Sequence, residues 1–145
     1  MREAQARGND LLLDIDVQGA QQVKQRLPAA VSIFILPPDR ETLERRLRNR
    51  GQDSEEEIER RLDGARREIE NYSRYDYILV NEKLEQATDE LKAVVLAERM
   101  LRSGATPSPE DLRLLEMAQA IRLDQARERV QPILESFGAR AADAS

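Results

Sequence analysis

The chain has 145 residues, 40% of them apolar and 35% charged, with 3% aromatics and a formal net charge of −5. That suits one modest domain built on aliphatic packing and exposed helices rather than a sandwich of strands. It has no cysteine and no histidine, which excludes disulfides, thiolate nucleophiles, imidazole bases and the usual zinc sites.

A metal would therefore be a hard ion such as magnesium on oxygen ligands. The acidic balance argues against general nucleic-acid binding, so any anion must be held by a local basic cluster. No apolar run approaches roughly 18 residues and the sequence after Met1 is polar. Neither a membrane span nor a signal peptide is expected, and a cytoplasmic location is.

MREAQARGND reads as the end of a helix, with Gly8 placed to stop it in a left-handed turn. LLLDID (11–16) is a short apolar run that ends in acids. In VQGAQQVKQRL, Val17, Ala20, Val23 and Leu27 recur at helical spacing until Pro28 stops them. VSIFILPP (31–38) is a continuous branched apolar run, expected to be a strand buried on both faces. Asp39 can cap a helix to about Arg50 with Leu43 and Leu47 inward.

Ser54 followed by Glu57 predicts a capping box for the next helix, where Ile58, Leu62, Ala65 and Ile69 form one apolar stripe. YDYILV (75–80) reads as a third strand and Leu84 to Arg102 as a long helix. Strands alternating with helices imply right-handed crossovers and a parallel sheet. SGATPSP (103–109) is a linker, and Ser108 with Pro109 starts a helix. Leu112, Leu115, Ile121 and Leu123 suggest one or two further helices, interrupted near Pro132, and the ARAADAS tail is expected to be disordered.

Among residues that could do chemistry, the segment RLRNRGQDSEEEIERRL (46–62) stands out. Arg46 and Arg50 are four apart and share a helix face. Gly51 permits a turn, and Arg61 lies on the helix beyond it. Two helices joined by a short polar turn could aim three guanidinium groups into one space, and guanidinium binds phosphate oxygens bidentately at any relevant pH. The same charges also suit a solvated helix, with Glu44–Arg48 and Glu57–Arg61 spaced for pairs of roughly 0.2 to 0.5 kcal/mol each. At the end of the LLLDID run, Asp14 and Asp16 would sit at a strand's carboxyl edge, where open parallel sheets bind ligands. Strand-end acids, one of them capping the next helix, are common, and alone this motif is the weaker signal. Asn81, closing YDYILVN, could cap a helix or touch a base.

In their order and spacing, LLLDIDVQGAQQV, VSIFILPP, LERRLRNRGQDSEEEIERRL and YDYILVNEKLEQA resemble the C-terminal portion of guanylate kinase. The resemblance spans about residues 1–101. It implies an α/β fold: a partial P-loop nucleoside-monophosphate-kinase-like parallel sheet flanked by helices, with a C-terminal helical extension. Residues 1–102 would be the core, carrying a mobile lid at about 46–61, and residues 103–145 a linker and helical extension with a disordered tail. It further implies transfer of the terminal phosphoryl group of ATP to GMP, with Mg2+ accompanying ATP. Arg46, Arg50 and Arg61 would be catalytic lid arginines, and Asp14 and Asp16 would border GMP. Asp14 would reach magnesium through water, with no direct protein ligand to the metal. Asn81 would join Arg46 and Arg50 on the ATP side. Phosphoryl transfer is mostly positioning and charge stabilisation, to which one well-placed arginine can contribute on the order of 10³ to 10⁵ in rate.

The sequence departs from the family in two respects. None of its six glycines is followed by lysine, so the G-x-x-x-x-G-K-[ST] phosphate loop is absent, as is the family's GMP-binding segment. The expectation is an amino-terminally truncated guanylate kinase, inactive alone. In the family the loop-bearing strand lies between LLLDID and VSIFIL, so its absence implies bare sheet edges that invite self-association. The alternatives are a non-catalytic guanylate kinase-like binding module and a fragment completed by a separate chain.

Overall fold

A computed structural model describes residues 17–139. The expectations placed on residues 1–16, including the Gly8 helix end, the LLLDID strand and Asp14 and Asp16, lie outside the described residues, as does the tail from Arg140 onward. The chain divides into two compact units, Met1–Ala30 and Val31–Ser145. In the first, α1 (Val17–Arg26) ends where predicted. The Leu27 amide still donates to the Val23 carbonyl at 2.7 Å, and Pro28, with no N–H, ends the ladder.

The second unit is built on two parallel strands, β1 (Ile33–Leu36) and β2 (Tyr77–Val80), with Ile33 beside Tyr77 and Leu36 beside Val80. A clamp at the strand starts sets this register. The Asp76 carboxylate accepts from the Ser32 amide at 2.9 Å and from its hydroxyl at 3.2 Å. Between the strands run α2 (Arg40–Arg50) and α3 (Glu55–Ile69). Asp39 caps α2 by accepting from the Thr42 amide at 2.7 Å, and that bond lowers the pKa of the Asp39 carboxyl. Leu43, Leu47, Ile58 and Leu62 close the α2–α3 hairpin with a small core of their own. Ser54 accepts from the Glu57 amide at 3.3 Å. The reciprocal half of the expected capping box is not formed there. A complete box appears instead at Ser108 and Asp111.

After β2 come α4 (Leu84–Ser103), α5 (Pro109–Ala120) and α6 (Leu123–Ser136). The main core joins Tyr77 and Leu79 to Ala87, Ala93, Val94 and Ala97 of α4, Ala118 of α5 and Ile121. Alanines on the facing sides of α4 and α5 let two backbones approach closely, which is how a chain with few aromatics still packs. The described residues 103–139 are part of this unit. The α5–α6 junction lies along β2, where Ile78 donates to the Ile121 carbonyl at 2.8 Å and Leu123 to the Asp76 carbonyl at 3.0 Å.

Two expectations are corrected. The strand predicted to be buried on both faces is not: Phe34 and Leu36 are buried, and Ile33 packs on the main core, but Ile35 is 52% exposed. Alternate residues face opposite sides of a strand, and the side bearing Ile33 is covered only at its start. The helix predicted to break near Pro132 runs through it. Ala126 and Val130 before the proline, and Ile133 and Leu134 after it, are all buried. Their anchorage outweighs the loss of the one hydrogen bond that would have reached the Glu128 carbonyl.

Candidate functional site

The site begins with how α2 stops. Gly51 takes φ +66, the left-handed region, and its amide donates to the Arg48 carbonyl at 3.1 Å. Only a glycine adopts this without backbone strain. The stop leaves Arg50 as the last helical residue, exposed, with no ion-pair partner among the described residues.

One turn earlier lies Arg46. Its Nη2 donates to the Asn81 carbonyl at 2.8 Å and to the Glu82 carbonyl at 3.3 Å. These are the first two carbonyls beyond β2, so Arg46 is fastened to the carboxyl end of the parallel sheet. The Asn81 amide in turn extends the ladder by donating to the Leu36 carbonyl at 2.8 Å. Asn81 does not cap α4, whose N-cap residue is Lys83 with no side-chain capping bond.

Arg61 lies on α3, half exposed, with its Nε 3.4 Å from Oδ2 of Asp53, a side chain only 6% exposed. That approach satisfies charge but not hydrogen-bond geometry, and Oδ2 remains without a hydrogen bond. The predicted Glu57–Arg61 pair is therefore replaced by a longer-range one. Arg48 spans the turn: it meets Glu55 through two bonds of 2.5 and 3.1 Å and lies 3.9 Å from Glu44. The Glu55 carboxyl is held below its usual pKa by the Arg48 hydrogen bond and charge, and the Arg48 guanidinium is correspondingly raised. Spacing alone indicated the weaker Glu44–Arg48 pair. It missed both Asp53 and the Arg48–Glu55 clasp, because each crosses the turn rather than a helix face.

The structure thus brings Arg46 to Asn81 and sets Arg50 and Arg61 on the two helices that flank Gly51. Asp14 and Asp16 lie outside the described residues. Among the described residues no cluster of three or more acidic groups could hold a metal ion, and no helix is long and apolar enough to cross a membrane. A shallow cavity of about 380 Å³ at the start of α4 is lined by Lys83, Glu85, Gln86, Asp89, Glu90 and Met117, with none of these arginines.

Residues 1–98 match the family model described as guanylate kinase. A guanylate kinase from Koribacter versatilis is 56% identical over 138 residues, covering 93% of this chain and 59% of that protein. The guanylate kinase of Syntrophotalea carbinolica is 57% identical over 98 residues, covering 68% of this chain and 47% of that protein. That of Escherichia coli strain K12 is 52% identical over 98 residues, with 68% and 47% covered. The chain therefore spans about half the length of the curated relatives it matches. The Koribacter alignment is too long to end at residue 102, so the C-terminal helices share its likeness.

Proposed function

The chain belongs to the guanylate kinase family, and on that premise we propose that it supplies the lid and part of the acceptor site of a cytoplasmic ATP:GMP phosphotransferase. In that reaction the bond from the terminal phosphorus of ATP to ADP breaks as a bond to a GMP phosphate oxygen forms. Arg46, Arg50 and Arg61 would hold the ATP phosphates and the migrating group, with Asp14 and Asp16 on the GMP side and Asn81 near adenine. Magnesium would arrive on the ATP phosphates and neutralise part of their charge, with Asp14 reaching it through water.

The observation that carries the reading is the tether of Arg46 to the carbonyls just past β2. It supports the reading because the carboxyl edge of an open parallel sheet is where ligands bind. A helix pair serving only solubility has no use for one arginine anchored to the sheet's end and another that has no ion-pair partner among the described residues. That the chain keeps all three arginines also favours chemistry over a binding module.

With no Gly-Lys step in its 145 residues, the chain by itself is expected to form no GDP from GMP and ATP. The test is a fusion of the chain to the part of the Koribacter guanylate kinase that precedes the matched region. GDP formation by the fusion, abolished by Arg61→Ala, is expected. A fusion that folds cooperatively, binds GMP and yields no GDP would reject the catalytic reading.

A further inference from the structure

We propose that Asp53 is a positioning residue for Arg61: it engages the Nε edge of the guanidinium and leaves the two Nη groups free to meet phosphate. The proposal deepens the lid reading above and rests on it.

Three observations carry it. Asp53 lies in the turn between Gly51 and the Ser54 cap, at the joint of the two arginine-bearing helices. Its carboxylate is nearly fully buried, yet Oδ2 has no hydrogen bond. A buried, unbonded carboxylate oxygen is costly, so it biases the neighbouring cation toward itself. That cation is Arg61, and it approaches through Nε at 3.4 Å. Its Nη groups make no hydrogen bond among the described residues, where Asp53 is its ion-pair partner.

A guanidinium offers two donor edges, one containing Nε and one made of the Nη pair. With the first turned to Asp53, the second is left for a planar, two-point contact with phosphate oxygens. An arginine side chain has many rotamers to lose when it is ordered. A carboxylate that restrains it beforehand removes part of that cost from the binding step.

A carboxylate near a phosphate site also repels it. Burial of Asp53 and its place on the Nε side mean that restraint, rather than repulsion, governs Arg61. The test uses the 145-residue chain labelled with 15N-arginine and titrated with inorganic tripolyphosphate, in wild type, Asp53→Asn, Arg61→Ala and the double variant. Asp53→Ser serves as a second variant, and the amide spectrum checks the fold of each.

In the free chain the Arg61 Nε–H signal is expected to stand apart from that of solvated arginine and to return to it in Asp53→Asn. Tripolyphosphate affinity is expected to fall about threefold to tenfold in Asp53→Asn, the loss when one rotamer-rich side chain must be ordered by the ligand. It should not fall further when Asp53→Asn is added to Arg61→Ala.

Unchanged or tighter binding by Asp53→Asn overturns the proposal, and so does an equal loss in the Arg61→Ala background. Should wild type bind no tripolyphosphate while the Arg61 signal still depends on Asp53, the tether stands, its role toward phosphate is rejected, and the lid reading is what has failed.

Discussion

Replacing Ile121 by alanine probes how far the C-terminal helices belong to the fold. Ile121 is 1% exposed and packs in the main core beside Tyr77 and Leu79 of β2. Its carbonyl, which accepts from Ile78 at 2.8 Å, is untouched by the substitution, so the change isolates side-chain packing. Removing a fully buried isoleucine costs about 2–5 kcal/mol through lost transfer energy and a residual cavity. Ile121 has helix on one side and sheet on the other, which limits collapse around the void, so about 3–4 kcal/mol is expected from that range.

In urea, with a slope of about 2 kcal/mol per molar, the midpoint should fall by about 1.5–2 M. Leu112→Ala on α5 is the control: Leu112 is 49% exposed, and a change of no more than about 0.5 kcal/mol is expected. Both are read by circular dichroism and tyrosine fluorescence on the 145-residue chain. Tyr77 and Ile121 share one cluster, so the two probes should report one transition. A loss for Ile121→Ala below about 1 kcal/mol, or an early separate transition for the C-terminal helices, would refute the view that they complete the core around β2.

The remaining predictions concern the site, the helices and pH. Gly51→Ala should cost about 1–2 kcal/mol by thermal denaturation, from the left-handed backbone alone, because nothing lies within 4 Å of the added methyl. Pro132→Ala should stabilise by up to about 3 kcal/mol, since it restores a helix-interior bond and relieves the ring clash; a destabilisation would show that the ring is required.

Burial, and then the 2.6 Å bond it donates to Glu98, push the Tyr77 hydroxyl up to about 12. Between about pH 10 and 12 the unfolded chain loses this proton while the folded one keeps it. Stability should therefore fall by about 1.4 kcal/mol per pH unit in that window, and Tyr77→Phe should remove the slope. At the acid end Asp39, Glu55 and Asp111 are all lowered, so their contribution is present above the ordinary carboxylate range and lost as pH falls through it. Sedimentation should show concentration-dependent self-association, because β1 pairs along only one edge among the described residues.

Local chemistry made much of this chain legible in advance. Asp39, Gly51, Ser54 and the Ser108–Pro109 step act on their own neighbours in sequence, so the ends of α2, α3 and α5 follow from residue type. The branched runs at 31–38 and 75–80 contain both described strands, and spacing marks Leu43 and Leu47, and Ile58 and Leu62, as inward residues of their helices, which the structure joins into one core. The order of these motifs was enough to place the family.

Contacts between residues distant along the chain were a different matter. Pro132 looks like a breaker until Val130 and Ile133 are seen buried on either side of it. Ile35 looks like core until the strand's face is seen to be covered at Ile33 alone. The seating of Ile121 along β2, the tether of Arg46 to the Asn81 and Glu82 carbonyls, and the choice of Asp53 over Glu57 by Arg61 all cross a turn or a strand. Periodicity records which residues share a face. Only tertiary packing decides what that face meets, because burial and charge pairing depend on distances that no spacing rule contains.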